Sequence, residues 1–164
     1  MTNHSDSEDF VASNKRSLRR LERAIAMSQG QFSLILVCSN HSGLRRKVVT
    51  RLQEISSVQI QELTLHPSVN TLFTTILTAI EEPPPALIVF GLDSIPAIDQ
   101  VLSATNLVRN EFPKQFQFPL VLWINDEVLQ KLIRLAPDFK NWAANPIRFD
   151  IPKTQSLERA AITA

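Results

Sequence analysis

Residues 31–43 read QFSLILVCSNHSG, an apolar run that breaks abruptly into small polar residues. The apolar part at 32–38 predicts a buried strand, and the polar part at 39–43 predicts a short loop that leads into a helix. In α/β proteins such a loop often holds phosphate groups, because the first N–H groups of the helix are free to bind an anion. The stretch therefore predicts both a fold class and a location for a ligand site.

Four further segments predict strands, at 58–65, 86–90, 119–124 and 146–151, and the segments between them predict helices. Strands that alternate with helices form a parallel sheet with helices on both faces. The predicted fold is therefore α/β, a three-layer α/β/α domain with about five mostly parallel strands, either P-loop-NTPase-like or receiver-like. A receiver-like sheet runs 2-1-3-4-5, whereas a P-loop ATPase-like sheet inserts strand 4 between strands 1 and 3.

The polarity of the two ends predicts a tail on each side of one domain. Residues 1–13 are polar and without periodicity and are predicted to be a disordered tail, and residues 152–164 are predicted to be a loose tail. Between them, residues 14–151 form a single predicted α/β domain that begins with a helix at 14–29.

The charge and composition exclude several classes of partner. The chain of 164 residues carries 17 Lys and Arg against 16 Asp and Glu, and its net charge of +1 gives no argument for nucleic acid or an anionic membrane. The single Cys38 cannot form an internal disulfide, which favours a reducing compartment. No apolar run approaches the ~20 residues that span a bilayer. We therefore expect a cytoplasmic protein that binds neither nucleic acid nor membrane.

The loop at 39–43 has the layout of a phosphate-binding P-loop but not its residues. A P-loop follows the pattern GxxxxGK[ST], in which backbone N–H groups surround the phosphates, the Lys neutralises them and the Ser or Thr binds Mg²⁺. Aligning Gly43 with the second glycine places Cys38, Leu44 and Arg45 at the other defining positions. Leu44 cannot neutralise phosphate charge, and Arg45 cannot ligate Mg²⁺. Only 3 Gly occur in the chain, so a glycine-rich phosphate loop is not expected elsewhere.

Three predicted strand ends lie at the carboxyl edge of the sheet, where parallel sheets bind ligands. Asp93 follows the third strand as a magnesium-orienting acid does in P-loop ATPases, although such an Asp more often caps a turn. Asn125 follows the fourth strand and either contacts a phosphate or caps the next helix, and Arg45 could reach an anion at a helix start. The candidate degenerate nucleotide or anion site comprises Ser39, Asn40, His41, Ser42, Gly43, Arg45, Asp93 and Asn125.

No set of residues predicts catalysis or a metal site. The 3 His are scattered along the chain, and no His or Cys spacing resembles a zinc site. Cys38 lies close to His41, but it ends an apolar run, which is typical of a buried and inert thiol. We therefore expect no catalytic residues, no bound metal and no cofactor.

Two features predict a surface for another protein. The first helix has arginines opposite its apolar stripe, which form either a solvated face or a docking surface for an acidic partner. The aromatic residues near the C-terminal end belong either to the core or to an exposed edge. The candidate interaction surface comprises Arg16, Arg19, Arg20, Arg23, Phe139 and Trp142.

Residues 119–144, PLVLWINDEVLQKLIRLAPDFKNWAA, are similar to a stretch in the N-terminal NTPase-like region of large bacterial tetratricopeptide-repeat proteins, which are common in cyanobacteria. The most specific part of the resemblance is APDFxxW at 136–142, and the resemblance covers roughly 18–150. It implies a P-loop-like α/β fold in a signalling or scaffolding setting. Only Asp93 carries over as a strand-end acid, because the P-loop itself is absent.

The predicted function is that of a non-catalytic, degenerate NTPase-like domain that acts as a protein–protein interaction or signalling module. Its protein partner is undefined, and self-association into a homo-oligomer is left open. One alternative is a pseudo-receiver domain, supported by Asp93 and Lys153 but lacking the acidic pair that binds Mg²⁺ after strand one. Another is a weak nucleotide-binding domain that uses the basic residues 45–47.

Overall fold

A computed structural model describes residues 2–151 of the chain, with side chains from residue 14 onward. Residues 2–151 form seven α-helices and five strands. Their bounds are α1 Thr2–Met27, β1 Ser33–Cys38, α2 Leu44–Ile55, β2 Ile60–Thr64, α3 Leu72–Ala79, β3 Ala86–Phe90, α4 Ile98–Leu107, α5 Glu111–Gln115, β4 Pro119–Ile124, α6 Asp126–Leu135, α7 Pro137–Lys140 and β5 Ile147–Arg148.

The strands form an all-parallel sheet in the order β2-β3-β4-β1-β5. The predicted α/β fold with a largely parallel sheet is confirmed. β4 lies between β1 and β3, as a P-loop ATPase-like sheet requires, and the order is not the 2-1-3-4-5 of a receiver-like sheet. The register pairs Ser33 with Pro119 and Cys38 with Ile124, so β1 and β4 end at the same level.

The sheet separates two hydrophobic cores because successive side chains of a strand point to opposite faces. Leu34 and Leu36 of β1 belong to the core covered by α3 to α7, and Ile35 and Val37 belong to the core covered by α1 and α2. Every residue of β3 and β4 is buried. This burial explains why those strands read as unbroken apolar runs in the sequence.

Helix α1 is longer than the sequence predicted. It begins at Thr2, so the backbone of residues 2–13, predicted as a disordered tail, continues the helix expected at 14–29. Adding a residue to an existing helix costs far less free energy than nucleating one, so packing of the later turns can support the earlier ones. The predicted loose tail at 152–164 lies outside the described residues, and so does Lys153.

The helix predicted after β3 is divided into α4 and α5. Its buried stripe is formed by Ile98, Val101, Leu102 and Thr105. Leu107 is 82% exposed, because it lies about half a turn away from this stripe. No helix in the described part of the chain combines the length and the apolar character that a membrane span needs.

Gly91, directly after β3, has a backbone conformation that only glycine adopts easily. Its φ is +99°, and a Cβ added there would lie 2.8 Å from the carbonyl oxygen of Leu65. The amide of Leu65 donates a hydrogen bond to Phe90 O at 2.8 Å, so this contact continues the β2·β3 pairing. The close approach of the two chain segments therefore leaves no room for a side chain.

We expect Gly91→Ala to lower the free energy of unfolding by about 2 kcal/mol or more, through unfavourable φ and the clash with Leu65. Gly43→Ala is the matched control, because Gly43 has φ −67° and nothing within 4 Å of its added Cβ. That control should stay within about 1 kcal/mol of wild type. Urea unfolding of both variants is the measurement, and equal effects of the two substitutions would contradict this account.

Candidate functional site

The ends of β1 and β4 meet at the carboxyl edge of the sheet, as the candidate site requires. Asn40 Nδ2 donates a hydrogen bond to Asp126 Oδ2 at 2.6 Å, and the Asp126 amide donates to Asn40 Oδ1 at 2.9 Å. These reciprocal bonds follow from the register that ends both strands at the same level. The loop at 39–43 is therefore tied to the first turn of α6.

The other oxygen of the Asp126 carboxylate accepts two further hydrogen bonds. Arg148 of β5 donates from Nη1 at 2.8 Å, and the Cys38 thiol donates from Sγ at 3.4 Å. We call these four residues, Cys38, Asn40, Asp126 and Arg148, the Asp126 cluster. The cluster joins three adjacent strand ends around one negative charge.

The hydrogen bonds shift two pKa values in opposite directions. The bond from Asn40, followed by those from Arg148 and Cys38, lowers the pKa of Asp126 to about 2. Burial, then the hydrogen bond and the charge of Asp126, raises the pKa of Cys38 to about 11. The thiol is therefore protonated at neutral pH, as expected for an inert cysteine. The side chains of Asp126 and Arg148 are about half exposed, so solvent screens their attraction.

Arg45 points away from the loop at 39–43. Its Nη2 donates to Thr64 Oγ1 at 2.8 Å, and its guanidinium carbon lies 3.7 Å from the centre of the Phe90 ring. Desolvation, followed by the charge of Arg46, lowers the pKa of Arg45, while the negative charges of Glu62 and Asp93 oppose that change. The site residues Arg45 and Asp93 therefore interact electrostatically near the ends of β2 and β3, apart from the Asp126 cluster.

The remaining candidate site residues have structural roles. Asn125 Oδ1 accepts a hydrogen bond from the Val128 amide at 2.9 Å, so the interpretation of Asn125 as the cap of α6 is confirmed. Ser39 is buried, and its Oγ accepts from the His41 amide at 3.3 Å. Ser42 does not cap α2, because Gly43 occupies the cap position.

The predicted interaction surface is partly wrong. Phe139 is completely buried and lies 4.9 Å from Phe112 between ring centres, so it belongs to the core. The short α7 turns this ring inward, and the Phe139 amide donates to Asn106 Oδ1 at 3.0 Å. Trp142 is 39% exposed and packs edge-on against Phe32.

The predicted arginines on α1 do form an exposed basic face. We define this α1 basic face as Lys15, Arg16, Arg19, Arg20 and Arg23, all of them exposed. None of these residues takes part in an ion pair within residues 14–151. Because like charges three and four residues apart on a helix repel each other, the basic face costs stability.

Sequence reasoning missed Asp126 and Arg148 as site residues. In the sequence, Asp126 looks like a residue at the start of a helix, and Arg148 belongs to a separate predicted strand. Their contact depends on the positions of β4 and β5 on either side of β1, which only the strand order fixes. Comparison with known proteins gives no matching family model and no matching curated protein.

We expect the Asp126 cluster to make stability depend on acidity. The pKa of Asp126 in the folded protein, about 2, lies below its ordinary value of 3.8, so its contribution is full above that value and is lost as the pH falls towards 2. As the pH falls from 3.8 towards 2, Asp126→Asn should therefore lose less stability than wild type, as measured by the midpoints of urea unfolding. The control Asp99→Asn keeps the cluster and should retain the wild-type steepness; an unchanged slope in Asp126→Asn would contradict the assignment.

We expect Arg20→Glu to stabilise the domain. Arg20 lies four residues after Arg16 and three before Arg23, so the substitution converts two repulsions into two attractions. The expected gain is about 0.5–1 kcal/mol in the free energy of unfolding at low salt, decreasing at high salt. Arg20→Gln should give about half of this gain. Destabilisation by both substitutions would show that Arg20 has a stabilising partner.

Proposed function

We propose that this protein is a non-catalytic domain with an NTPase-like fold that acts by protein–protein contact in signalling or scaffolding. The observation that carries the proposal is that the Asp126 carboxylate accepts hydrogen bonds from side-chain donors at the carboxyl edge of the sheet. Asn40 and Arg148 donate to this carboxylate at 2.6 and 2.8 Å. A carboxylate of the protein thus lies at the edge of the sheet where a parallel sheet would otherwise offer its hydrogen-bond donors to a phosphate.

The rest of the edge supports the same proposal. Leu44, at the position of the P-loop lysine, is only 5% exposed and packs in the core beneath α2. Arg45 is engaged by Thr64 and Phe90. A phosphate placed beside Asp126 would be repelled by the ionised carboxylate, and its pKa of about 2 keeps the carboxylate charged at neutral pH.

Protein contact is the function that the exposed surface supports. The α1 basic face and the exposed side of Trp142 lie outside the core. A charged face that costs stability and a partly exposed tryptophan are typical of binding surfaces. A cytoplasmic location and a signalling or scaffolding setting form part of this proposal, and the resemblance to repeat-protein N-terminal regions supports them.

Thermal unfolding with ATP or ADP and Mg²⁺ tests the proposal. A bound nucleotide at a hundredfold excess over Kd would stabilise the fold by about 2.7 kcal/mol and raise Tm by several degrees. We expect no shift in Tm at millimolar nucleotide. A clear shift that disappears in Arg45→Ala or Asp93→Ala would overturn the proposal and identify a nucleotide-binding domain.

A matched pair of variants tests whether Asp126 takes the place of a bound anion. Asp126→Ala frees the donors of Asn40 and Arg148, so inorganic phosphate should raise the Tm of this variant more than that of wild type. Asp99→Ala removes another exposed carboxylate, which pairs with Lys131 and not with these donors, and should respond as wild type does. An equal response of all three proteins would show that the freed donors do not form an anion site.

A further inference from the structure

One edge of β1 is covered over only part of its length. β1 pairs with β4 through all six of its residues, whereas it pairs with β5 only at Val37 and Cys38. Within the described residues, the edge at 33–36 therefore has no strand partner on the β5 side. Such an edge presents backbone N–H and C=O groups that can pair with another extended chain.

The direction of the peptide groups follows from two hydrogen bonds. The Ser39 amide donates towards β4, to Ile124 O at 2.9 Å, whereas Cys38 O accepts from the Phe149 amide at 3.1 Å on the β5 side. In a parallel strand the N–H and C=O groups of one residue face one neighbouring strand, and those of the next residue face the other. The N–H and C=O groups of Leu34, like those of Cys38, therefore face the β5 side of the strand, where Leu34 has no strand partner among the described residues.

A groove of about 420 Å³ runs along this edge, and we call it the edge groove. Its floor includes Leu34, one wall is formed by Arg20, Arg23 and Met27 of α1, and the other wall includes Trp142. A second cavity of about 570 Å³ shares Leu34 and Trp142 with the edge groove and therefore lies next to it. Met27 is 73% exposed, which leaves an apolar contact at the mouth of the groove.

The charge of the edge groove is supplied by the α1 basic face. Arg20 and Arg23 line the groove and also belong to that face, which continues through Arg16 and Arg19. Because these cations are spaced three and four residues apart on one helix, they form a line of charge beside an apolar floor and an open strand edge. The arrangement matches a ligand that is extended, acidic and partly apolar.

We propose that the edge groove binds an extended acidic segment of a partner protein, which lies along β1 in the position left open below β5. This inference deepens the proposed function and rests on it. Carboxylates of the segment face Arg20 and Arg23, apolar side chains contact Met27 and Trp142, and its backbone pairs with the peptide groups of Leu34. Main-chain pairing supplies affinity, and the arginines select acidic sequences.

The groove favours a protein segment over nucleic acid or membrane. Proteins that bind single strands of nucleic acid stack successive bases on several aromatic rings, whereas Trp142 is the one aromatic side chain lining this groove among the described residues. A membrane surface has no peptide backbone that could pair with the strand edge, which lies between α1 and Trp142. The open backbone groups of β1 are complementary to a polypeptide and to neither alternative.

Fluorescence anisotropy with a labelled peptide in which glutamate alternates with valine tests the proposal. We expect binding to wild type and none to the same peptide with lysine in place of glutamate. Arg20→Glu combined with Arg23→Glu should weaken binding by roughly tenfold or more, since two attractions become repulsions. The control Arg46→Glu combined with Lys114→Glu makes the same change in net charge at two exposed sites outside the groove and should bind as wild type does.

Two further readouts separate the groove from general electrostatic attraction. Met27→Ser should weaken binding severalfold, whereas Leu107→Ser, at another exposed apolar residue outside the groove, should not. Hydrogen exchange of the Leu34 amide should slow in the complex if the peptide pairs with the β1 edge. Unchanged exchange at Leu34 with peptide bound would overturn the proposed placement.

The proposal is overturned if no peptide binds at millimolar concentration, or if the groove and control variants lose affinity equally. It is also overturned if a single-stranded DNA oligonucleotide or phosphatidylserine vesicles bind through Arg20 and Arg23 while the peptide does not. The proposed function fails on a different observation, a nucleotide-dependent rise in Tm. Absence of peptide binding without such a rise therefore rejects the groove alone.

Discussion

The parallel pairing of β1 with β4 fixes the arrangement of the whole carboxyl edge. Their register brings Cys38 level with Ile124, so the residues just beyond, Asn40 and Asp126, meet at hydrogen-bond distance. The same pairing keeps β1 away from β3 and leaves β5 as the only described strand on its other side. One long-range pairing therefore determines which loops can interact and which strand edge stays open.

The Asp126 cluster places a carboxylate of the chain itself at the carboxyl edge of the parallel sheet. Asn40 and Arg148 donate to an acceptor at this strand–helix junction although their hydrogen bonds are exposed to solvent. Here the acceptor belongs to the chain itself, and it links β1, β4 and β5. A structural carboxylate can thus stabilise this edge in the absence of a ligand.

The sequence predicted the local structure well where burial is complete and the ends are marked. The bounds predicted for β3 and β4 agree with the structure, because both are unbroken apolar runs, with Gly91 after the first and Asn125 after the second. β5 was predicted too long, since a two-residue edge strand leaves little periodicity to read.

Long-range features were less accessible. Strand order depends on pairings between residues far apart in the chain, so Arg148 could not be placed beside Asp126. The burial of Phe139 likewise depends on how a helix of four residues packs against α5. Local patterns constrain which residues are apolar or exposed on an element, but not which elements become neighbours.

The partly covered edge of β1 also bears on how copies of this chain behave towards one another. Open strand edges tend to join edge to edge, and many proteins prevent this by placing charges beside them. Two copies that approached through this edge in a symmetric pair would bring Arg20 and Arg23 of one towards the same arginines of the other. We therefore expect these arginines to oppose self-association through the open edge, and substitutions that neutralise them to favour pairing between copies of the chain.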